Sequence, residues 1–154
     1  MESATSEEIK IAGAYQQIVS GKKIVVSVGK RKTAVARAII KAGGGRCKVN
    51  GIPVEIWPIE VARLKMMEPL MLLNDKLRNA IDIDVIVEGG GVMAQAYAIR
   101  NAIARGIIVY FNIPILRDIF KEFDRTMISG DPRRTESEKW MRYSARRFRQ
   151  KSYR

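Results

Sequence analysis

A chain of 154 residues with 47% apolar composition is sized for one compact domain plus an appendage, and its 28 Lys and Arg against 16 Asp and Glu leave a formal charge of +12. A single cysteine, Cys47, excludes an internal disulfide, and the absence of histidine excludes a one-chain Cys/His zinc site as well as Ser–His and Cys–His catalysis. Carboxylate or lysine chemistry is still open, so the composition disfavours an enzyme without forbidding one.

Residues 1–22 open with the polar, acidic SATSEE and continue as IKIAGAYQQIV, where Ile11, Tyr15 and Ile18 fall at helical spacing. A short amphipathic helix is expected there. Nothing in residues 1–10 has the form of a secretory leader, and apolar runs such as IIVYF at 107–111 are far shorter than a bilayer requires. The expectation is a soluble, cytoplasmic protein with no membrane partner.

From Lys23 the β-branched run IVVSV predicts a strand, followed by Gly29 and the cations Lys30, Arg31 and Lys32, which are placed in a turn. Residues 33–41 alternate, with Ala34, Ala36, Ala38 and Ile40 on one face and Val35, Arg37, Ile39 and Lys41 on the other. Small inner residues invite a closely packed helix. Turns at 43–45 (three glycines) and at Asn50-Gly51 then predict a three-stranded antiparallel meander over 24–49.

Pro53 and Pro58 bracket a bend, and VARLKMMEPLMLLNDKL reads as two short helices interrupted at Pro69. Met66, Met67 and Met71 are read as core fillers, the alternative being a methionine-rich groove for a partner. Residues 81–88 alternate again. Ile81, Ile83, Val85 and Val87 point inward and Asp82, Asp84 and Glu88 outward, where the acids could pair with Arg37 and Lys41 of a neighbouring strand. After Gly89, Gly90 and Gly91, the stripe Val92, Ala96, Ile99, Ile103 and Ile107 marks the longest helix, and a further one begins after Pro114. Residues 124–130 lead toward Asp131-Pro132, where the folded body is expected to release an arm.

That arm is the most informative segment. Residues 133–154 hold nine basic and two acidic residues, and 139–154 (KWMRYSARRFRQKSYR) holds seven cations, no acid, and Trp140, Tyr143, Phe148 and Tyr153 spaced among them. Alone in water such a segment cannot bury enough apolar surface to offset its ordering entropy. A polyanion would order it, by neutralising phosphates, releasing counterions and stacking bases on aromatic and guanidinium planes. The plainer alternative is a solvated tail that aids solubility.

Two other elements carry chemistry. The strand, glycine turn and helix start at 88–92 could hold an anion on free N–H groups, either an RNA phosphate or the phosphate of a nucleotide-using enzyme, or could be a purely structural turn. A Walker loop is excluded because Gly29-Lys30 is followed by Arg31. Three adjacent cations at 30–32, with no acid nearby in sequence, favour RNA over a solvated turn.

The strings VGKRKTAVARA at 28–38, KVNGIPVE at 48–55, EGGGVMAQAYAIRNAIARG at 88–106, DPRR at 131–134 and the closing QKSYR resemble, in order, the small-subunit ribosomal protein S9 family in its archaeal and eukaryotic branch. The resemblance covers 24–154 and leaves 1–22 without a counterpart. It implies an α+β, ribosomal S5 domain 2-like fold, a mixed sheet with helices on one face and a left-handed β-α-β crossover, with a globular body at 23–132 and an extended basic arm at 133–154. It further implies a non-catalytic, cofactor-free protein in the head of the small subunit, among neighbouring ribosomal proteins. Ribosomal RNA would be met by Lys30, Arg31, Lys32, Gly89, Gly90, Gly91, Arg133, Arg134, Lys139, Arg142, Arg146, Arg147 and Arg149. The arm's end would reach the P-site tRNA, with Arg154 at the anticodon stem-loop backbone and Tyr153 and Lys151 beside it.

Overall fold

The computed structural model describes residues 23–152. The helix expected within 1–22 lies outside them, as do Tyr153 and Arg154.

Strands β1 (Val25–Arg31) and β2 (Ala34–Ala42) form an antiparallel hairpin around Lys32-Thr33, with Arg31 opposite Ala34 and Lys32 at φ +52°. Two short strands follow, β3 (Cys47–Val49) and β4 (Ile52–Pro53), joined at Asn50-Gly51, where both residues take positive φ as a tight turn requires. A 3-10 turn at Val54–Ile56 leads to α1 (Glu60–Met71) and α2 (Asp75–Arg78). Strand β5 (Ile81–Glu88), α3 (Val92–Phe111), α4 (Pro114–Phe123) and α5 (Arg125–Ser129) complete the described elements, and the sheet order is β1-β2-β5-β3-β4.

That order corrects the expected meander. β3 does not pair with β2; β5 lies between them, antiparallel to β2 and parallel to β3. The cause is the 43–46 loop, which crosses the start of β5. The Gly43 and Gly45 N–H groups donate to the carbonyls of Ala80 and Ile81. The Asp82 carboxylate accepts from the N–H of Gly44 and Arg46 and from the Arg46 guanidinium, at 2.9–3.1 Å. Asp82, expected on an outer acidic face, is therefore buried beneath the loop.

Pro69 does not interrupt α1. The helix continues to Met71 although Pro69 gives no bond to the Lys65 carbonyl, and the proline ring is buried in the core. Met66 is core, Met67 is partly buried, and Met71 is more than half exposed, contrary to its expected place among the core fillers.

The alternation in β2 and β5 is as read. Ala34, Ala36, Ala38, Ile40, Ile81, Ile83, Val85 and Val87 are all buried beneath the helices, while Val26, Val28, Val35 and Ile86 remain exposed on the opposite face. Helix α3 lies across β1 and β2, and α1 packs on its far side. Its apolar stripe is accordingly wider than sequence periodicity suggests, because Ala98, Ala102, Ala104 and even Arg100 are fully buried, whereas Val92 at the start is 40% exposed. The helix approaches the sheet so closely that a Cβ on Gly29 would lie 2.0 Å from the Ala98 carbonyl oxygen and 2.5 Å from the Ala102 nitrogen. Ser27 Oγ donates to the Ala102 carbonyl at 2.7 Å, so this buried hydroxyl is satisfied at the seam.

Arg100, entirely buried in α3, is neutralised by Glu68 of α1 at 2.7 Å and Asp124 before α5 at 2.5 Å, and also donates to Thr126 Oγ1 at 3.0 Å. Burial alone would raise the Asp124 carboxyl, but the hydrogen bonds from Thr126 and Arg100 outweigh it and hold it below its ordinary value. The segment 124–130 that leads toward the arm contains α5, capped by Asp124, whose Oδ1 accepts from the Thr126 N–H.

Candidate nucleic-acid interface

The cluster at 30–32 does not act as one group. Lys30 and Arg31 belong to β1 rather than to the turn, and strand alternation sends them to opposite faces; only Lys32 occupies the turn. Lys30 and Lys32 are exposed. Arg31 faces the helices, stacks 5.7 Å from the centre of the Tyr97 ring and forms an ion pair with Asp131. The premise that these cations lack an acidic partner is thus corrected for Arg31, whose partner lies 100 residues away along the chain. The expected cross-strand pairing is likewise split. Lys41 meets Asp84 at 2.9 Å, while Arg37 sits opposite Ile86 and has no ion pair among the described residues.

Asp131 also holds Arg133, through Nε at 3.1 Å, Nη2 at 2.9 Å and the Arg133 backbone N–H at 2.8 Å. These hydrogen bonds and charges hold the Asp131 carboxyl down at about 2. The Asp-Pro step therefore ties the root of the arm to the hairpin next to Lys30 and Lys32.

Beyond it, residues 133–152 contain no helix and no strand other than one bridge between Arg142 and Phe148. Arg142 stacks 4.1 Å from the Phe148 ring centre, Arg147 and Arg149 lie 5.9 and 5.5 Å from that of Tyr143, and Arg146 meets Glu136 at 2.9 Å. Trp140 is 89% exposed, and Tyr143 and Phe148 are mostly so. Aromatic residues that bury nothing in their own chain, interleaved with guanidinium groups, present flat surfaces on which unpaired bases can stack. Arg134, Lys139 and Lys151 are exposed along the same segment.

The glycine turn separates into two parts. Gly89 and Gly90 have φ of +74° and +69°, and a Cβ on either would press against Thr33 or Ala34 at 2.7 and 3.0 Å, so both are demanded by the fold. Gly91 has ordinary φ and open space around its missing Cβ. It is the N-cap of a 20-residue helix with no side-chain cap and no acid in the first turn, which leaves the helix start open to an anion.

Other chemistry is poorly served. Burial, with the nearby Asp84 charge, pushes the Cys47 thiol up to about 12, so it is not a thiolate nucleophile. No cluster of three metal-ligating Cys, Asp or Glu side chains occurs among the described residues, and no described helix is long and apolar enough to cross a membrane.

The chain resembles known proteins over most of its length. The profile of the family described as Ribosomal protein S9/S16 matches residues 29–154. Proteins called small ribosomal subunit protein uS9 are similar over most of their length. The one from Aeropyrum pernix is 56% identical over 147 residues, covering 86% of this chain and 97% of that protein. Those from Desulfurococcus amylolyticus and Saccharolobus solfataricus are 58% and 54% identical over 132 residues, covering 86% of this chain and 94% and 96% of theirs. With a match over more than four-fifths of its length and identities above one half to archaeal relatives, the chain belongs to the ribosomal protein S9/S16 family, whose members are structural and non-enzymatic.

Proposed function

We propose that this protein is a structural component of the small ribosomal subunit that binds ribosomal RNA with its body and its arm, and that the arm's end supports tRNA in the P site. The observation that carries this reading is the arm itself: exposed aromatic rings alternate with arginines over 133–152, and Asp131 fixes the arm's root to the body through Arg31 and Arg133. Twenty-two extended residues reach up to about 70 Å, enough to cross from the body to a distant RNA site. Family membership and the names of the relatives support the ribosomal setting, in the cytoplasm and beside other small-subunit proteins. Lys30, Lys32, the N–H groups at 91–94 and the cations of the arm are the RNA contacts; Arg31 contributes by holding Asp131. Lys151, Tyr153 and Arg154 are the tRNA contacts. The parallel β3–β5 pair joined through α1, with helices on one face of the sheet, is in keeping with an S5 domain 2-like fold.

The test is equilibrium binding to transcribed small-subunit rRNA over a series of salt concentrations. Each lost phosphate contact lowers the slope of log affinity against log salt by roughly 0.7–0.9. Changing Lys30 and Lys32 to alanine should lower it by up to about two such steps, and removing 133–154 by several more. Unchanged slopes in both variants would reject the reading.

A further inference from the structure

We infer that a cationic cleft beneath the root of the arm, between α5 and the free edge of β1, is a seat for an RNA backbone phosphate, built by Arg105 and Arg125 together with Lys30. The cleft holds about 370 Å³ and is lined by these three cations and by Ser129, Gly130 and Asp131. A second cleft of about 200 Å³ shares Lys30 and Asp131 and adds Lys32, Arg133 and Arg134, so the two form one cationic strip on either side of the root.

Arg105 is fixed before any ligand arrives. Its Nε donates to the Ile128 carbonyl at 2.7 Å and its Nη1 to the Val28 carbonyl at 3.1 Å, which also closes part of the unpaired edge of β1. The remaining nitrogen, Nη2, faces Gly130, where an added Cβ would stand 3.1 Å from it. A guanidinium held in this way loses little freedom on meeting a phosphate. Neither Lys30, Arg105 nor Arg125 has a carboxylate partner among the described residues. The cleft's one carboxylate, Asp131, is already engaged by Arg31 and Arg133. Three unneutralised cations in one concavity repel each other, and a phosphate diester between them removes that cost and is held from three sides. Neither Arg105, which falls within the string at 88–106, nor Arg125, which lies outside every quoted string, is named as an RNA contact by the sequence reading.

This inference rests on the rRNA-binding reading, and the experiment separates their failures. Full-length protein and the variants Arg125→Gln, Arg125→Lys and Lys30→Gln are titrated with transcribed small-subunit rRNA over a salt series, with Lys76→Gln as a control on an exposed position of α2 remote in sequence. Urea midpoints establish that each variant is folded. The expected result is a slope reduced by about 1 in Arg125→Gln and in Lys30→Gln, and close to wild type in Arg125→Lys and Lys76→Gln. Arg125→Gln behaving like Lys76→Gln, while removal of the arm still weakens binding, overturns the cleft and leaves the general reading standing. Arg125→Gln lowering the potency of inorganic phosphate as a competitor without changing the rRNA slope makes the cleft a free-anion site and also overturns the proposal. Wild-type protein binding rRNA no more tightly than the armless form, with neither showing salt dependence, overturns both.

Discussion

Substituting Gly29 by alanine tests the closeness of α3 to the sheet, on which the position of the whole helical layer depends. The new Cβ would lie 2.0 Å from the Ala98 oxygen and 2.5 Å from the Ala102 nitrogen, against the 3.4 Å or more of an ordinary contact. Both neighbours are backbone in the middle of a 20-residue helix, so no rotamer change relieves the overlap. The helix must back away by about 1 Å, lengthening the Ser27–Ala102 hydrogen bond and opening gaps over Ala34, Ala36 and Ala38, which have no side chain long enough to follow. Overpacking usually costs about 1–3 kcal/mol, and an unyielding backbone clash belongs at or above the top of that range. With a urea dependence of about 1.5–2 kcal/mol per molar for a domain of this size, a loss of about 3 kcal/mol lowers the unfolding midpoint by about 1.5–2 M. Gly44→Ala is the internal control. Its Cβ meets nothing within 4 Å, its φ is not positive and its N–H remains available to Asp82, so its stability should change by less than about 0.5 kcal/mol, about 0.3 M in midpoint. Equal midpoints for the two variants would refute the close-packing argument.

Arg100→Met should destabilise by about 3 kcal/mol in the same assay; the loss falls at the lower end of what breaking a buried ion pair costs, because the Glu68 and Asp124 side chains are 19% and 30% exposed and can recover water. For Asp82, burial would raise the carboxyl, but hydrogen bonds from the Arg46 and Gly44 N–H groups and from the Arg46 side chain outweigh it and hold the folded-state value below the ordinary one. Its stabilisation is therefore present above the unfolded value near pH 4 and is lost as pH falls through the lower folded value. Asp82→Asn should accordingly be less stable than wild type at pH 7 and converge on it as pH falls below the ordinary carboxylate range; a constant difference across pH would contradict the assignment. Ending the chain after Pro132 should leave a cooperative unfolding transition, since every described helix and strand lies between residues 25 and 129. A broad, non-cooperative melt of that form would show that the arm is part of the fold.

What the sequence disclosed, and what it hid, follows from the range of each interaction. Strand alternation in 34–42 and 81–88 is a local pattern with one buried face, and it located Ala34, Ala36, Ala38 and the inner residues of β5 correctly. The charge and aromatic spacing of 133–154 are compositional and are read without reference to the fold. The sheet order was not, since β3 has three residues and carries no register of its own; its place is decided by Asp82 gripping a loop 36–38 residues upstream. Arg31 appeared to be an unpartnered cation because Asp131 is distant in the chain, and Arg100 went unremarked because the two acids that converge on it belong to other elements. Arg105 and Arg125 were not singled out as contacts: one stands among the apolar residues of α3, and the other starts a five-residue helix in a segment read only as leading into the arm. The glycine turn was recognised, but only the backbone angles and the space around each Cα distinguish Gly89 and Gly90, which the fold requires, from Gly91, which it does not.

The claim that the arm carries function to its tip is tested most directly by tRNA retention. Small subunits would be assembled with full-length protein, with protein lacking Arg154, and with protein ending at Pro132, and the dissociation of P-site tRNA measured at equal protein occupancy. A well-made charge-assisted contact contributes roughly 1.5–3 kcal/mol, less where solvent and salt screen it, so loss of Arg154 should speed tRNA dissociation by about tenfold and loss of the arm by more. Arg154→Lys should recover part of the difference, because a point charge still meets a phosphate without the bidentate fork. Identical dissociation rates from all of these subunits would contradict the account and confine the arm to ribosomal RNA.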